Sequence, residues 1–177
     1  IIDRGTGRMK IRPMDMVSGQ INNGLKSLPA EIGNLTKLEQ LFIANSEIET
    51  LPDELSNLTS CTDVEVYNCP KMKEFPMAVT KMPELISLNI GNNRQWSSEE
   101  VLKGFKGLAT GPSREKIQIL YLNKNNLEIV PKEIKNMKKL GMMDFSSNKI
   151  HTIEEAWGND IKPVQLHLSN NQLSSFP

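Results

Sequence analysis

Few residues in this chain have the chemistry to cut bonds, transfer groups or bind metal, and they are scattered. The 177 residues hold two histidines, His151 and His167, and two cysteines, Cys61 and Cys69. A zinc site needs three or four such ligands converging on one point. Here the cysteines lie far from both histidines along the chain. His151 follows Ile150 in a turn pattern, whereas His167 falls on a strand pattern, so the two do not meet. No serine stands with a histidine in a hydrolase motif. Gly5 and Gly7 form a lone glycine pair with no strand before it, which makes no phosphate loop. The pairs Glu99-Glu100 and Glu154-Glu155 read as solvated surface charge. The expectation is a non-enzymatic chain with no cofactor and no metal site.

Charge excludes more. Lys and Arg total 21, Asp and Glu 21, for a net charge of +0. A nucleic-acid partner would need a clustered basic face, so none is expected. No run of 18 apolar residues is present to span a membrane as a helix. The first residues, IIDRGTGRMK, lack an apolar signal core and a starting Met. The pattern described next runs to both ends, and the chain is read as part of a longer one.

What organises the sequence is a phrase, clearest over Ile117 to Pro131, IQILYLNKNNLEIVP. It carries apolar residues at Ile117, Leu120, Leu122, Leu127 and Val130, with Asn125 among them. Copies start at 38, 61, 85, 117, 140 and 163, with steps of 23, 24, 32, 23 and 23. A degenerate copy ends in Asn23, Leu25, Leu28 and Pro29. A period in the twenties means a solenoid, in which each unit packs only on its neighbours.

Each copy has three parts. A short strand alternates apolar residues such as Leu41 and Ile43 at period two. A turn follows, and Asn93, Asn125, Asn148 and Asn171 occupy one position in it. Asn offers a donor and an acceptor on one short side chain, so these four form a structural turn ladder. Ser46 and Cys69 interrupt it. A return segment then carries Leu51, Leu55 and Leu58 at near-helical spacing, and Pro29, Pro52, Pro76 and Pro131 enter it, blocking further strand pairing. Cys61 and Cys69 take apolar and turn positions and read as buried thiols. The spacing predicts an insertion over 97–116 with a capping box at Ser97 and Glu100. It also predicts a helix from about Ser98 to Leu108, with Val101, Leu102, Phe105 and Leu108 inward and Trp96 beneath. Trp157 and Pro163 depart from the pattern, with a loop at Gly158-Asn159-Asp160.

These residues resemble the leucine-rich repeat superfamily. LPAEIGNLTKL (28–38), LPDELSNLTSC (51–61) and VPKEIKNMKKL (130–140) are similar to its 23-residue plant and bacterial class. VEVYNCPKM (64–72), the insertion and the degenerate start resemble surface or secreted proteins of Bacteroides-type bacteria. The resemblance implies an α/β solenoid, a right-handed superhelix with a concave parallel sheet and convex helical or 3₁₀ segments, of about seven repeats. It also implies a secreted or cell-surface location. Residues 1–22 are then a degenerate repeat or cap and 23–177 the solenoid. Carried back from the first positions, the phase puts strand sites on Asp15, Ser18 and Gln20, where the repeat has decayed. Met9, Ile11, Met14, Met16, Val17 and Ile21 can form an irregular strand over the first repeat.

Function then falls to exposed strand positions. One column is Phe42, Glu65, Asn89, Tyr121, Asp144 and His167. The next holds Ala44, Tyr67, Gly91, Asn123, Ser146 and Ser169. Aromatics amid small polar groups mark recognition surfaces, although aromatics on strands also stabilise a sheet by cross-strand packing. The candidate partner-binding residues are Phe42, Glu65, Tyr67, Asn89, Tyr121, Asp144 and His167. The expected partner is a protein, bound on the concave sheet. The alternatives are a spacer that presents another domain, or a carbohydrate-binding surface. The sequence leaves ligand identity and oligomeric state open.

Overall fold

The structure is a computed structural model and describes residues 10–11, 24–154 and 161–176. The expected loop at Gly158-Asn159-Asp160, the Trp157 substitution and the phase-extended sites Asp15, Ser18 and Gln20 lie outside the described residues.

The phrase folds as its periods dictate. Strands β1 (Lys10–Ile11), β2 (Gln40–Ala44), β3 (Asp63–Tyr67), β4 (Ser87–Asn89) and β5 (Ile119–Tyr121) are followed by the short β6 (Ile129–Val130). Then come β7 (Met142–Asp144), β8 (Thr152–Ile153) and β9 (Gln165–His167). Seven of them form one parallel sheet in the order β1-β2-β3-β4-β5-β7-β9. The register is that of the copies: Leu41 pairs with Val64, Val64 with Leu88, Leu88 with Leu120, Leu120 with Met143, and Met143 with Leu166. A one-residue slip would turn every apolar residue outward. β1 is the exception to the phase. Ile11 pairs with Leu41, where the period pointed to Ser18.

Return segments are 3₁₀ turns at Ala30–Asn34, Asp53–Asn57, Met77–Lys81 and Lys132–Asn136. Each follows a proline with φ between −71° and −77°. The carbonyl of that proline accepts the first bond of its turn, as from Ile32 to Pro29 and from Ile134 to Pro131. Proline fixes φ where the turn needs it and lacks only an N–H the turn does not use. A second, two-stranded sheet of β6 and β8 joins two return paths, which the sequence reading did not foresee.

Between strands and returns runs one core in which Leu41, Ile43, Leu55, Leu58, Leu88, Ile90, Leu120, Leu122 and Phe145 are wholly buried. Each such side chain contributes roughly 1.5–3 kcal/mol. Leu166, Leu168 and Leu173 of the last repeat are only partly buried, because they have a packing neighbour on one side alone among the described residues. Cys61 and Cys69 are free and buried.

Helix α1 (Ser98–Thr110) is the long insertion, two residues longer than expected. Ser97 caps it, accepting from the Glu100 N–H at 3.2 Å. The reciprocal half of the capping box is not made. Glu100 instead accepts from the Phe75 N–H at 3.0 Å, tying the helix to the preceding repeat. The buried face is Val101, Gly104, Phe105, Leu108 and Ala109, with Leu102 only half-buried. Phe105 meets Phe145 edge-on at 5.7 Å, and Trp96 lies 5.2 Å from Phe75. α1 packs between the 3₁₀ turns of both neighbours and so occupies the return position of its own repeat.

Candidate functional site

The turn ladder holds the strands, and with them the exposed columns, in place. In every ladder asparagine the Nδ2 amide reaches back to the carbonyl of the preceding repeat. Asn93 donates to Val66, Asn125 to Ile90, Asn148 to Leu122 and Asn171 to Phe145, at 2.7–3.1 Å. Their side-chain oxygens accept from the Cys69, Asn93, Asn125 and Ile150 N–H groups at 2.9–3.1 Å. At the interruptions the bonds lengthen: the Cys69 thiol donates to Ile43 O at 3.4 Å, and Ser46 accepts from Ile48 N at 3.4 Å. Gln95, which sequence reasoning passed over, braces this weak turn by donating to the Cys69 and Met72 carbonyls, both at 2.9 Å.

The residue before each ladder position has positive φ: Asn45, Asn68, Asn92, Lys124, Ser147 and Asn170, at 50–56°. Asn tolerates this left-handed conformation; Lys and Ser do so at a cost. The asparagines of this column therefore serve the turn, and Asn68 also donates to Asn45 at 2.7 Å.

On the concave face the register sets Phe42, Glu65, Asn89, Tyr121, Asp144 and His167 side by side on consecutive strands. Tyr67 pairs with Ala44 on the same face. The sequence reading expected Glu65 and Tyr67 to be exposed. Both are half-buried, as is Phe42, because residues of the adjacent strands flank them in register; His167 is exposed. Burial pushes the Glu65 carboxyl above its ordinary 4.5, and a hydrogen bond with Asn89 pulls it partly back. Its Oε1 is shut off from solvent without a hydrogen-bond partner. Asp63 accepts from Gln40 at 3.1 Å, and Asp144 from the Ser146 hydroxyl at 2.6 Å.

In the two solvent-facing columns at the start of each strand the reading counted the charges Glu39 and Asp63 but passed over the apolar residues. There Ile119, Met142 and Val164 join Tyr121 around an open groove of about 440 Å³. Apolar residues at solvent-facing strand positions were the available signal. The His151 ring meets the Thr152 hydroxyl at 2.9 Å. No group of three or more potential metal ligands occurs among the described residues.

The leucine-rich repeat family model matches residues 116–137. A leucine-rich repeat protein from Bacteroides eggerthii DSM 20697 superposes with a TM-score of 0.81 and 31% identity, covering 90% of this chain and 30% of its own. The chain belongs to the leucine-rich repeat superfamily. A second leucine-rich repeat protein, from Bacteroides thetaiotaomicron VPI-5482, is similar at TM-score 0.80 and 34% identity, over 90% of this chain and 22% of its own. This leucine-rich repeat chain thus spans under a third of the length of either relative. The plant peptide hormone receptor RGFR1, solved in complex with RGF2, is similar at TM-score 0.60 and 28% identity, over 86% of this chain and 24% of its own. No curated protein matches. Among the described residues no helix is long and apolar enough to cross a membrane.

Proposed function

We propose that this leucine-rich repeat segment is a non-catalytic module that binds a protein on its concave sheet. One observation carries the reading. From β2 to β9 the four solvent-facing columns hold Glu39, Asp63, Glu65 and Asp144, against Lys10 where β1 pairs with Gln40 and Lys124 in a turn that follows, in a chain whose net charge is +0. Amid these carboxylates stand Phe42, Tyr67 and Tyr121, half-buried and half-offered. A mildly acidic, aromatic-bearing face selects and steers a complementary surface. The similarity to a receptor solved with RGF2 agrees with this use of the fold. A secreted or cell-surface location is proposed with it, on the resemblance to Bacteroides-type surface proteins.

The test is parallel capture from bacterial and host surface extracts with the native chain, Glu65→Lys and the convex variant Lys135→Glu, alongside a glycan array. A partner held by the native chain and Lys135→Glu but lost by Glu65→Lys is the expected result. Glycan binding alone would favour the carbohydrate reading, and silence in both the spacer.

A further inference from the structure

The second sheet does not continue between every pair of repeats. Where β6 meets β8, the His151 and Glu154 N–H groups donate to the Glu128 and Val130 carbonyls, both at 3.0 Å. The equivalent positions in the copies that start at 38 and 61 are Thr50-Leu51 and Glu74-Phe75. There Pro76 stands in the place of Glu154 and has no N–H to give. Lys73, in the place of His151, makes no bond to Glu49, and the Phe75 N–H goes to Glu100 at 3.0 Å. Pro76 also bends its chain away, with ψ at 85° where Pro29, Pro52 and Pro131 hold 145–155°. The two return paths part, and a cavity of about 180 Å³ opens between them, off the concave sheet.

Its floor is apolar: Met72 and Phe75 are buried, and Leu51 and Met77 half-buried. Its rim is acidic, with Glu49, Asp53 and Glu74 all exposed, and no Lys or Arg lines it. We propose that this cavity takes a lysine side chain of a partner protein. The methylene stem lies on Met72, Phe75 and Met77, and the ammonium stands among the three carboxylates. The size suits one side chain, since a cavity of about 150 Å³ holds benzene and drug-sized ligands need about 300–1,000 Å³. The carboxylates come from separate chain segments. That spread suits a compact ammonium with three donors better than a flat guanidinium, which wants both oxygens of one carboxylate. Lys81 already shows the mode: its ammonium meets a single Asp53 oxygen at 3.4 Å.

The whole chain, isotope-labelled at its methionine methyls, is titrated by NMR with three compounds. They are Nα-acetyl-lysine methylamide, the same compound acetylated at Nε, and Nα-acetyl-arginine methylamide. The lysine compound is expected to shift the Met72 and Met77 methyl signals saturably, more tightly than the arginine compound. The Nε-acetylated form keeps the stem without the charge and leaves them in place. Glu49→Gln combined with Glu74→Gln weakens binding on the order of tenfold at an unchanged melting temperature, since both side chains are exposed. Lys81→Ala removes a competing ammonium from Asp53 and tightens binding about two- to threefold. Shifts at other methionines alone, no saturable shift, equal binding of the neutral form, tighter binding of the arginine compound, or indifference to the carboxamide changes would each overturn the inference. None of these outcomes bears on the concave face, which the capture experiment above decides.

Discussion

Asn125 shows what one side chain does in this molecule. It accepts from Asn93 N–H and donates to the Ile90 and Leu122 carbonyls, so it spans two turns. Ser46 makes two long contacts, 3.4 Å to the Ile48 N–H and 3.5 Å to the Cys69 thiol. Leaving buried backbone groups unpaired costs about 1–3 kcal/mol, so Asn125→Ala loses more stability than Ser46→Ala in a thermal melt. Equal shifts would count against the ladder. One position upstream, Lys124 holds φ at 55°. Replacing it by Asn, as at Asn92 in the preceding repeat, removes part of a left-handed penalty of about 1–2 kcal/mol. Lys124→Asn therefore raises the melting temperature, and a fall would mean that Lys124 makes a compensating contact. Cys61 sets an alkaline limit. Burial raises its thiol from 9.0 to about 12. The fold favours the protonated thiol, so this contribution is complete below pH 9 and is lost as pH rises from 9 towards 12. Stability measured against pH should fall across that window less steeply in Cys61→Ala than in the native chain.

The strands, the proline-led turns and the ladder were legible because each recurs at one period, and a column of like residues identifies its own role. The 97–116 helix was legible from its apolar spacing and Ser97. Features built by one residue alone were not. Glu100 looked like half of a capping box because local spacing permits it, yet its carboxylate accepts from the Phe75 N–H of the preceding repeat rather than from the Ser97 N–H. Gln95 compensates a weak turn one repeat away, a long-range contact that no local pattern announces. β1 pairs out of phase, since edge pairing asks only for an extended segment of the right reach. The helix offers its own test at Gly104, where a Cβ would run into the Phe75 ring. Ala gains up to about 1 kcal/mol of helix propensity, but overpacking costs about 1–3 kcal/mol. Gly104→Ala should therefore lower the midpoint of urea unfolding, and an increase would show that α1 is free to shift outward.

Taken whole, the molecule sorts its charge. From β2 to β9 the concave columns carry carboxylates and aromatics, and most Lys and Arg fall elsewhere, with Lys10 of β1 at the edge of the face. The candidate columns could be read from the sequence because the register follows the period. The half-burial of Glu65 and Tyr67 could not, since it depends on how side chains of adjacent strands pack around them. That burial also means Tyr67→Ala sacrifices some packing against its neighbours, so its binding must be compared at a temperature where the variant is fully folded. The central claim is that this face binds the partner. The most direct measurement is the dissociation constant of a captured partner for the native chain, Tyr67→Ala and Lys135→Glu, taken side by side. The concave account predicts a loss on the order of 2 kcal/mol for Tyr67→Ala and none for Lys135→Glu. Normal binding by Tyr67→Ala together with its abolition by Lys135→Glu would contradict it.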